Sequence, residues 1–253
     1  MPVVFVGHGS PMNAIEDNAF HRSWAELGRR LPRPKSILCV SAHWETRGVG
    51  VTAMEMPKTI HDFFGFPQAL FDVRYNAPGD PALARRTAAL LAAHNPVLDK
   101  EWGLDHGAWS VLVAMYPKAD IPVVQLSIDT SKPGAYHYAI GQALKPLRDE
   151  GVLILGSGNI VHNLRLFDFR AATTLDWAVR FDTQVKERIA ARAHADLIAF
   201  ETMGADARLA IPTAEHYLPL LYVLGAQDAH ERAAFFNESV VSAISMTSVV
   251  IDA

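Results

Sequence analysis

Short apolar runs alternate with amphipathic stretches along this chain, and each pattern predicts one kind of element. Apolar runs predict strands at 3–6, 37–40, 48–54, 97–99, 121–128, 152–155 and within 239–251. Helical spacing and capping residues predict helices that begin after Asp17 or Asn18 and after Asp80, and others within 103–117 and at 133–147, 173–193 and 213–224. This alternation indicates a three-layer α/β/α fold with a central mixed, largely parallel sheet. Because the chain shows no repeat or linker, we expect a single domain over 1–253.

Three of the predicted strands end close to a histidine. The first apolar run stops at His8, which lies between two glycines, and the run at 37–40 leads into His43. The run at 152–155 is followed by a Gly-Ser-Gly turn and then by His162. Ligands of open α/β sheets bind outside the carboxyl ends of the strands, so we expect these imidazoles to meet in one crevice.

Two further histidines lie at predicted helix starts. His106 follows an aspartate in LDHGAW, and His216 follows Glu215 in the first turns of the predicted helix at 213–224. Adjacent helical residues point about 100° apart, so only one of Glu215 and His216 is expected to face the crevice. Imidazoles with at most one carboxylate suit zinc or ferrous iron better than magnesium or calcium.

Composition and charge narrow the classes of partner. The chain has 253 residues and a formal net charge of -4 with neutral histidines, without any block of basic residues. We therefore expect no nucleic-acid or membrane partner, and a small molecule remains. The lone Cys39 rules out an internal disulfide and fits a cytoplasmic protein. The chain lacks HExxH, P-loop, GxGxxG and GxSxG motifs. Its oligomeric state stays open between a monomer and a small homo-oligomer.

Six ordered motifs together resemble the DOPA-type class III extradiol ring-cleaving dioxygenases. They are GHGSPM, SAHWE, TIHDFFGFP, LDHGAWSVL, GSGNIVHNL and EHYLPLLYVLGA. The resemblance implies an ion held by His8, His43 and His216, ferrous iron for activity and often zinc in isolated protein. It favours His216 over Glu215, although related protocatechuate enzymes use a glutamate. It also implies that His162 acts as acid/base or as a further ligand when zinc is bound.

The implied reaction is the oxygen-dependent opening of a small catechol, such as DOPA, next to its diol. His162 and His106 are then the candidates for proton transfer. Aromatic side chains could sandwich the ring, namely Trp44 and, in a predicted loop at 59–67, Phe63, Phe64 and Phe66. For Trp44, packing in the core is the alternative to contact with the substrate ring. His61 could reach the substrate's side chain. A zinc-dependent hydrolase on the same histidines is the alternative function.

Overall fold

The computed structural model describes residues 1–168 and 173–252. Its strands are β1 Val3–Gly7, β2 Ser36–Glu45, β3 Gly50–Thr52, β4 Val97–Asp99, β5 Val123–Ile128, β6 Val152–Gly158, β7 Arg232–Phe236, β8 Val240–Val241, β9 Ile244–Ser245 and β10 Ser248–Asp252. Its α-helices are α1 Ala19–Arg30, α2 Gln68–Phe71, α3 Pro81–Leu90, α4 His106–Met115, α5 Gly134–Leu144, α6 Pro146–Asp149, α7 Asp176–Ala190, α8 His194–Ile198, α9 Ala205–Ala210 and α10 Leu218–Gly225. Short 3₁₀ segments lie at Pro11–Ala14, Ala92–His94 and Phe200–Thr202.

One sheet of the described chain has the strand order β4-β3-β5-β2-β6-β1-β10-β7. The four central strands β5, β2, β6 and β1 are parallel, so their carboxyl ends lie at the same edge of the sheet. Towards the two sides, β10 pairs antiparallel with β1, and β3 pairs antiparallel with β5. This mixed, largely parallel sheet confirms the predicted fold class.

Alternating side chains of the central strands pack against helices on both faces of the sheet. In β1, Val3 and Phe5 belong to one apolar cluster, which also contains residues of α5, α7 and α10. Val4 and Val6 belong to the other cluster, with Trp24 of α1 and residues of α4. A strand buried on both faces reads as a continuous apolar run, which is why these strands were predictable.

Proline accounts for two differences from the predicted helices. The predicted helix at 133–147 ends at Leu144, because Pro146 has no N–H for an interior helical bond and begins the separate helix α6. The predicted helix at 213–224 was wrong at its start, because Pro219 is tolerated only in a first turn and α10 begins at Leu218. His216 therefore lies in the turn before the helix.

Other bounds also differ from the predictions. β2 extends to Glu45, so His43 lies inside a strand that is longer than the apolar run at 37–40. The sequence analysis missed β7, whose segment RAAFF lies at the sheet edge and does not alternate. Within the described residues, no helix combines the length and apolar character that crossing a membrane requires.

Candidate metal centre

Three histidines meet at the carboxyl ends of the parallel strands. His8 follows β1 directly, His43 lies in the last part of β2, and His216 lies in the turn before α10. The Nε2 atoms of His8 and His43 are 3.1 Å apart. One ring nitrogen from each of the three histidines lies within 4.8 Å of the others. The structure therefore brings together the three residues expected to share one crevice.

Glycine lets the turn that carries His216 approach β6 closely. A Cβ atom at Gly158 would lie 2.1 Å from the backbone oxygen of His216, and one at Gly156 would lie 2.7 Å from the oxygen of Pro219. The His216 oxygen also accepts a hydrogen bond from the Asn159 N–H at 2.8 Å. Any larger residue at Gly158 would displace this turn, so the Gly-Ser-Gly segment sets the position of His216 above the sheet.

A serine orients the ring of His8. Ser157 Oγ lies 2.6 Å from the carbonyl oxygen of Gly107, which can only accept, so the hydroxyl donates to it. Ser157 Oγ therefore accepts from the Nδ1–H of His8 at 3.0 Å. This arrangement leaves the lone pair of His8 on Nε2, the atom that faces His43.

Glu215 orients His216 in the same way. The Glu215 carboxylate lies 3.1 Å from His216 Nδ1 and accepts a hydrogen bond from the Thr213 hydroxyl at 2.8 Å. A carboxylate only accepts, so Nδ1 carries the hydrogen and the lone pair of His216 lies on Nε2. The His216 ring is 7% exposed and lies 5.1 Å from the ring of His43.

Burial keeps these imidazoles neutral. It lowers the pKa of His43 to about 3, with a smaller contribution from neighbouring His106. Burial, followed by the effect of nearby imidazoles, also holds the pKa values of His8 and His216 well below the usual range. A metal binds the neutral form of imidazole, so at neutral pH no proton has to leave these donors first.

His106 lies beside this group and is held by Asp62 from the loop. The ring centroids of His106 and His43 are 3.8 Å apart. Asp62 Oδ1 accepts the backbone N–H of His106, and Oδ2 accepts from His106 Nδ1, both at 2.9 Å. Burial raises the pKa of Asp62, but the hydrogen bonds from His106 and its electrostatic interaction outweigh burial, so the pKa of Asp62 is lowered. Asp62 is therefore an ionised acceptor.

His162 stacks on His216. Their ring centroids are 3.5 Å apart and their planes differ by 9°. The backbone N–H of His162 donates to Ala210 at 2.9 Å, and a β-bridge pairs His162 with Ile244. Burial lowers the pKa of His162 to about 4. A ring nitrogen of His162 lies within 4.8 Å of ligand atoms of Glu215 and His216.

The loop at 59–67 places some, but not all, of its aromatic side chains near the histidines. The Phe63 ring lies 5.5 Å from that of His106, and Phe66 packs 5.3 Å from Phe63. The ring of Phe64 is 92% exposed and points to solvent. His61 packs 5.7 Å from Phe63, and its Nε2 lies 3.0 Å from the carbonyl oxygen of Val73.

The structure does not bring Trp44 to the histidines. Trp44 is 4% exposed and stacks on Trp102, with ring centroids 5.6 Å apart and planes within 6°. Neighbouring residues of a strand point to opposite faces, so Trp44 points away from the side that His43 faces. The alternative of core packing matches this placement.

The donor set fits a metal ion. Zinc binds histidine nitrogen at roughly 2.0–2.1 Å, so two nitrogens on one ion lie at most about 4 Å apart. The 3.1 Å between Nε2 of His8 and Nε2 of His43 falls within that span. Ligating histidines usually donate their other N–H to an acceptor, as His8 does to Ser157 and His216 does to Glu215.

Sequence reasoning found the histidines but missed the groups that orient them. Ser157 lies in the Gly-Ser-Gly turn and Asp62 directly follows His61, so both were inside recognised motifs. Their roles depend on partners that are distant in sequence, 149 residues for Ser157 with His8 and 44 residues for Asp62 with His106. The signal in the sequence was that each motif contained a polar residue, Ser157 or Asp62, in addition to its histidine.

Comparisons with known proteins agree along the whole chain. Residues 2–250 match the family described as the catalytic LigB subunit of aromatic ring-opening dioxygenase. A protein of Escherichia coli named 4,5-DOPA dioxygenase extradiol is 53% identical, with 99% of this chain and 94% of that protein covered. A Beta vulgaris protein of the same name is 40% identical, with 93% and 90% covered.

A solved structure extends the likeness to three dimensions. The crystal structure of an uncharacterized protein from Escherichia coli K12 superposes with a TM-score of 0.88 at 48% identity, and the match covers 100% of both chains. The family match does not favour the zinc-hydrolase alternative, because the family opens aromatic rings. With this extent of agreement, the chain belongs to the LigB family of aromatic ring-opening dioxygenases and is an extradiol ring-cleavage enzyme.

Proposed function

We propose that this enzyme uses ferrous iron and O₂ to open the ring of a small catechol, with DOPA as the first candidate substrate. The names of the relatives from Escherichia coli and Beta vulgaris support DOPA. The observation that carries the proposal is the convergence of His8, His43 and His216, each with a ring nitrogen within 4.8 Å of the others. Ring opening next to the diol, not between its hydroxyls, is the expected outcome of extradiol chemistry.

His8, His43 and His216 would hold the ion, with iron in the active enzyme and zinc in the isolated protein. Imidazole suits both metals, and the open positions of such a site distinguish it from a closed structural site. When bound, iron supplies the electron-transfer chemistry that activates O₂ towards the catechol. His162, stacked on His216, would serve as a further ligand in the zinc form.

His162 and His106 would move the protons of the reaction. A catechol hydroxyl must lose a proton before cleavage, and a proton must be returned during bond breaking. A neutral imidazole can accept such a proton, and burial lowers the pKa of His162 to about 4, which keeps it neutral. Phe63 would pack against the ring of the substrate, and His61 would contact its side chain, since both belong to the loop beside His106.

A catechol panel tests the proposal. Protein reconstituted anaerobically with iron is mixed in air with DOPA, with a carboxylated catechol lacking the amino group and with an alkyl catechol. We expect DOPA to have the highest kcat/KM and to give a yellow product, because cleavage next to the diol yields a conjugated semialdehyde. A colourless diacid would show cleavage between the hydroxyls, and zinc-loaded protein is the matched control without oxygen chemistry.

Domain extent and location complete the proposal. We expect residues 1–253 to form one catalytic domain, which limited proteolysis tests by the absence of a stable smaller fragment. A cytoplasmic location fits the single, buried Cys39. Cell fractionation tests that location.

A further inference from the structure

Asp62 holds His106 through two hydrogen bonds. Its two carboxylate oxygens accept separate hydrogen bonds, one from the His106 backbone N–H and one from His106 Nδ1, each at 2.9 Å. The His106 side chain is 9% exposed and that of Asp62 is 19% exposed. The contact is thus a two-point clamp between the loop at 59–67 and the first residue of α4.

The clamp determines which nitrogen of His106 carries the hydrogen. An ionised carboxylate only accepts, so His106 Nδ1 must be the donor. In a neutral ring the other nitrogen, Nε2, then holds the lone pair. Among residues 1–168 and 173–252, Nε2 of His106 has no protein hydrogen-bond partner, while the ring lies 3.8 Å from His43 and 5.8 Å from His8.

We propose that Asp62 is a positioning residue that fixes His106 in the tautomer with an unprotonated Nε2, so that His106 can accept a proton from the substrate. This inference rests on the proposed function, in which His106 transfers protons. Asp62 acts through His106 and is not itself a catalytic residue.

Asparagine at position 62 would reverse the tautomer. The backbone N–H of His106 is a fixed donor, so the amide oxygen of Asp62→Asn must face it. The NH₂ group then points at Nδ1, which can accept this bond only without a hydrogen. His106 would therefore carry its hydrogen on Nε2 and present a donor where the substrate proton must be received. An equivalent exchange in a catalytic triad lowers kcat by about 10⁴-fold.

If the clamp only held the loop in place, Asp62→Asn would change the tautomer and kcat of the enzyme little. Asp62→Asn keeps nearly the same shape and at least one of the two hydrogen bonds, so loss of packing is small. Asp62→Glu keeps the carboxylate and with it the requirement that Nδ1 donates. Asp72→Asn is the matched control, because it removes the same charge from an exposed side chain near the loop, where the Asp72 carboxylate accepts a hydrogen bond from Gln68 at 2.9 Å.

The experiment measures tautomer and turnover separately. Long-range ¹H–¹⁵N NMR of zinc-loaded protein labelled at histidine reports the tautomer of His106, with assignment from a His106→Gln sample. Turnover of the iron-loaded form is expressed per bound iron, since Asp62 Oδ2 also lies 3.5 Å from His43 Nδ1 and its loss will weaken metal binding.

We expect Asp62→Asn to move the His106 hydrogen to Nε2 and to lower kcat by roughly 10²–10⁴-fold, with KM changed by only a few-fold. Asp62→Glu should restore the Nδ1–H tautomer and recover at least about tenfold of the lost kcat. Asp72→Asn should match the wild type in both measurements. If Asp62→Asn does not fold, the tautomer and kcat of Asp62→Glu decide the question.

The proposal is overturned if Asp62→Asn keeps the Nδ1–H tautomer, or if it changes the tautomer and keeps wild-type kcat. It is also overturned if Asp62→Glu keeps the tautomer and is as inactive as Asp62→Asn. Should iron-loaded wild type consume no oxygen with any catechol, the proposed function fails. The NMR comparison would still decide whether Asp62 sets the tautomer.

Discussion

The three candidate ligands share a neutral imidazole but are supported by different groups. Ser157 lies behind His8, Asp62 is 3.5 Å from His43, and Glu215 lies behind His216. A hydroxyl is a weaker acceptor than a carboxylate, so the three ligands differ in how strongly their orientation is held. Loss of any of the three rings should nonetheless remove one of the three nitrogens that would bind the ion.

His8→Ala, His43→Ala and His216→Ala should each lower metal occupancy strongly, because an ion held by three imidazoles keeps only two. Elemental analysis of the purified variants measures the effect, and His230→Ala is the control, since His230 is exposed. Near-full occupancy in His216→Ala would contradict the ligand assignment and transfer the role to Glu215.

His162→Gln should retain iron and lose turnover. Its ring stacks on His216 without being one of the three converging ligands, so its removal spares the ion. Removal of a general acid or base typically costs about 10²–10⁴-fold in rate. Steady-state kinetics with iron content measured on the same sample provides the test. A kcat within a few-fold of the wild type would remove His162 from the proton-transfer role.

Motifs in the sequence could identify the histidines because His8, His43 and His162 follow apolar runs, and because His106 and His216 lie in segments that lead into helices. They could not identify the tautomers, which depend on hydrogen bonds between distant segments. The contact from Ser157 to His8 spans 149 residues, and its direction is known only from the third partner, Gly107. For the same reason the sequence could not assign a role to Asp62.

Two strand ends and the turn before α10 position the ligands. β1 and β2 were predictable because they are buried on both faces, and this placed His8 and His43 at the same edge of the sheet. The placement of His216 was less accessible from sequence. Its turn depends on close approach to Gly158, a contact that no local pattern encodes.

Gly107→Ala should disturb the metal centre from within α4. A Cβ atom there would lie 2.4 Å from Ser41 Oγ and 2.8 Å from Cδ2 of His43. Because these contacts are too short, the His43 ring must shift and metal occupancy should fall. Gly48→Ala is the control, because its φ of +85° strains an alanine while nothing lies within 4 Å of the added atom.

Metal analysis and thermal unfolding separate displacement of the His43 ring from backbone strain. Gly48→Ala is expected to lower Tm and keep the metal, whereas Gly107→Ala should lose metal. Equal metal content in Gly107→Ala and wild type would show that the helix start can move without changing His43.

A buried ion pair between Arg148 of α6 and Glu231 connects the N-terminal residue to the segment before β7. Arg148 donates to both carboxylate oxygens of Glu231, to Ala226 O at 2.7 Å and to Met1 O at 2.8 Å. Both side chains of the ion pair are at most 6% exposed. Removing one charge leaves the other buried without its partner, which typically costs about 3–5 kcal/mol.

Glu231→Gln should therefore lower the free energy of unfolding by about 3–5 kcal/mol at neutral pH. Burial raises the pKa of Glu231, but the Arg148 hydrogen bond and the Asp228 N–H outweigh it, so the pKa lies below its usual range. The stabilisation is thus complete above the unfolded pKa and is lost as pH falls through the folded value. Urea unfolding at neutral and acidic pH measures it.

Glu150→Gln is the matched control for this pair. Glu150 forms an ion pair with Arg86 at the surface, where solvent screens the charges, so its replacement should change stability little. If Glu231→Gln were as stable as Glu150→Gln at neutral pH, the buried pair would not contribute the predicted stability.

The overall architecture was more predictable than its edges. Four buried parallel strands carry strong apolar signals, and they fix the α/β class. The edge strand β7 carries little such signal, because two of its five residues are exposed and none is fully buried. The structure therefore adds to the sequence-based prediction mainly the edge strands and the turns.

Oxygen consumption by the iron-loaded protein shows whether it opens catechol rings. An oxygen electrode records uptake after DOPA is added to a sample whose iron content is known, and absorbance of the yellow product is followed in parallel. We expect oxygen, DOPA and product to change in equal amounts, and we expect no oxygen uptake by His43→Ala. Iron-loaded wild type that leaves dissolved oxygen untouched with DOPA and every other catechol would contradict the proposed function.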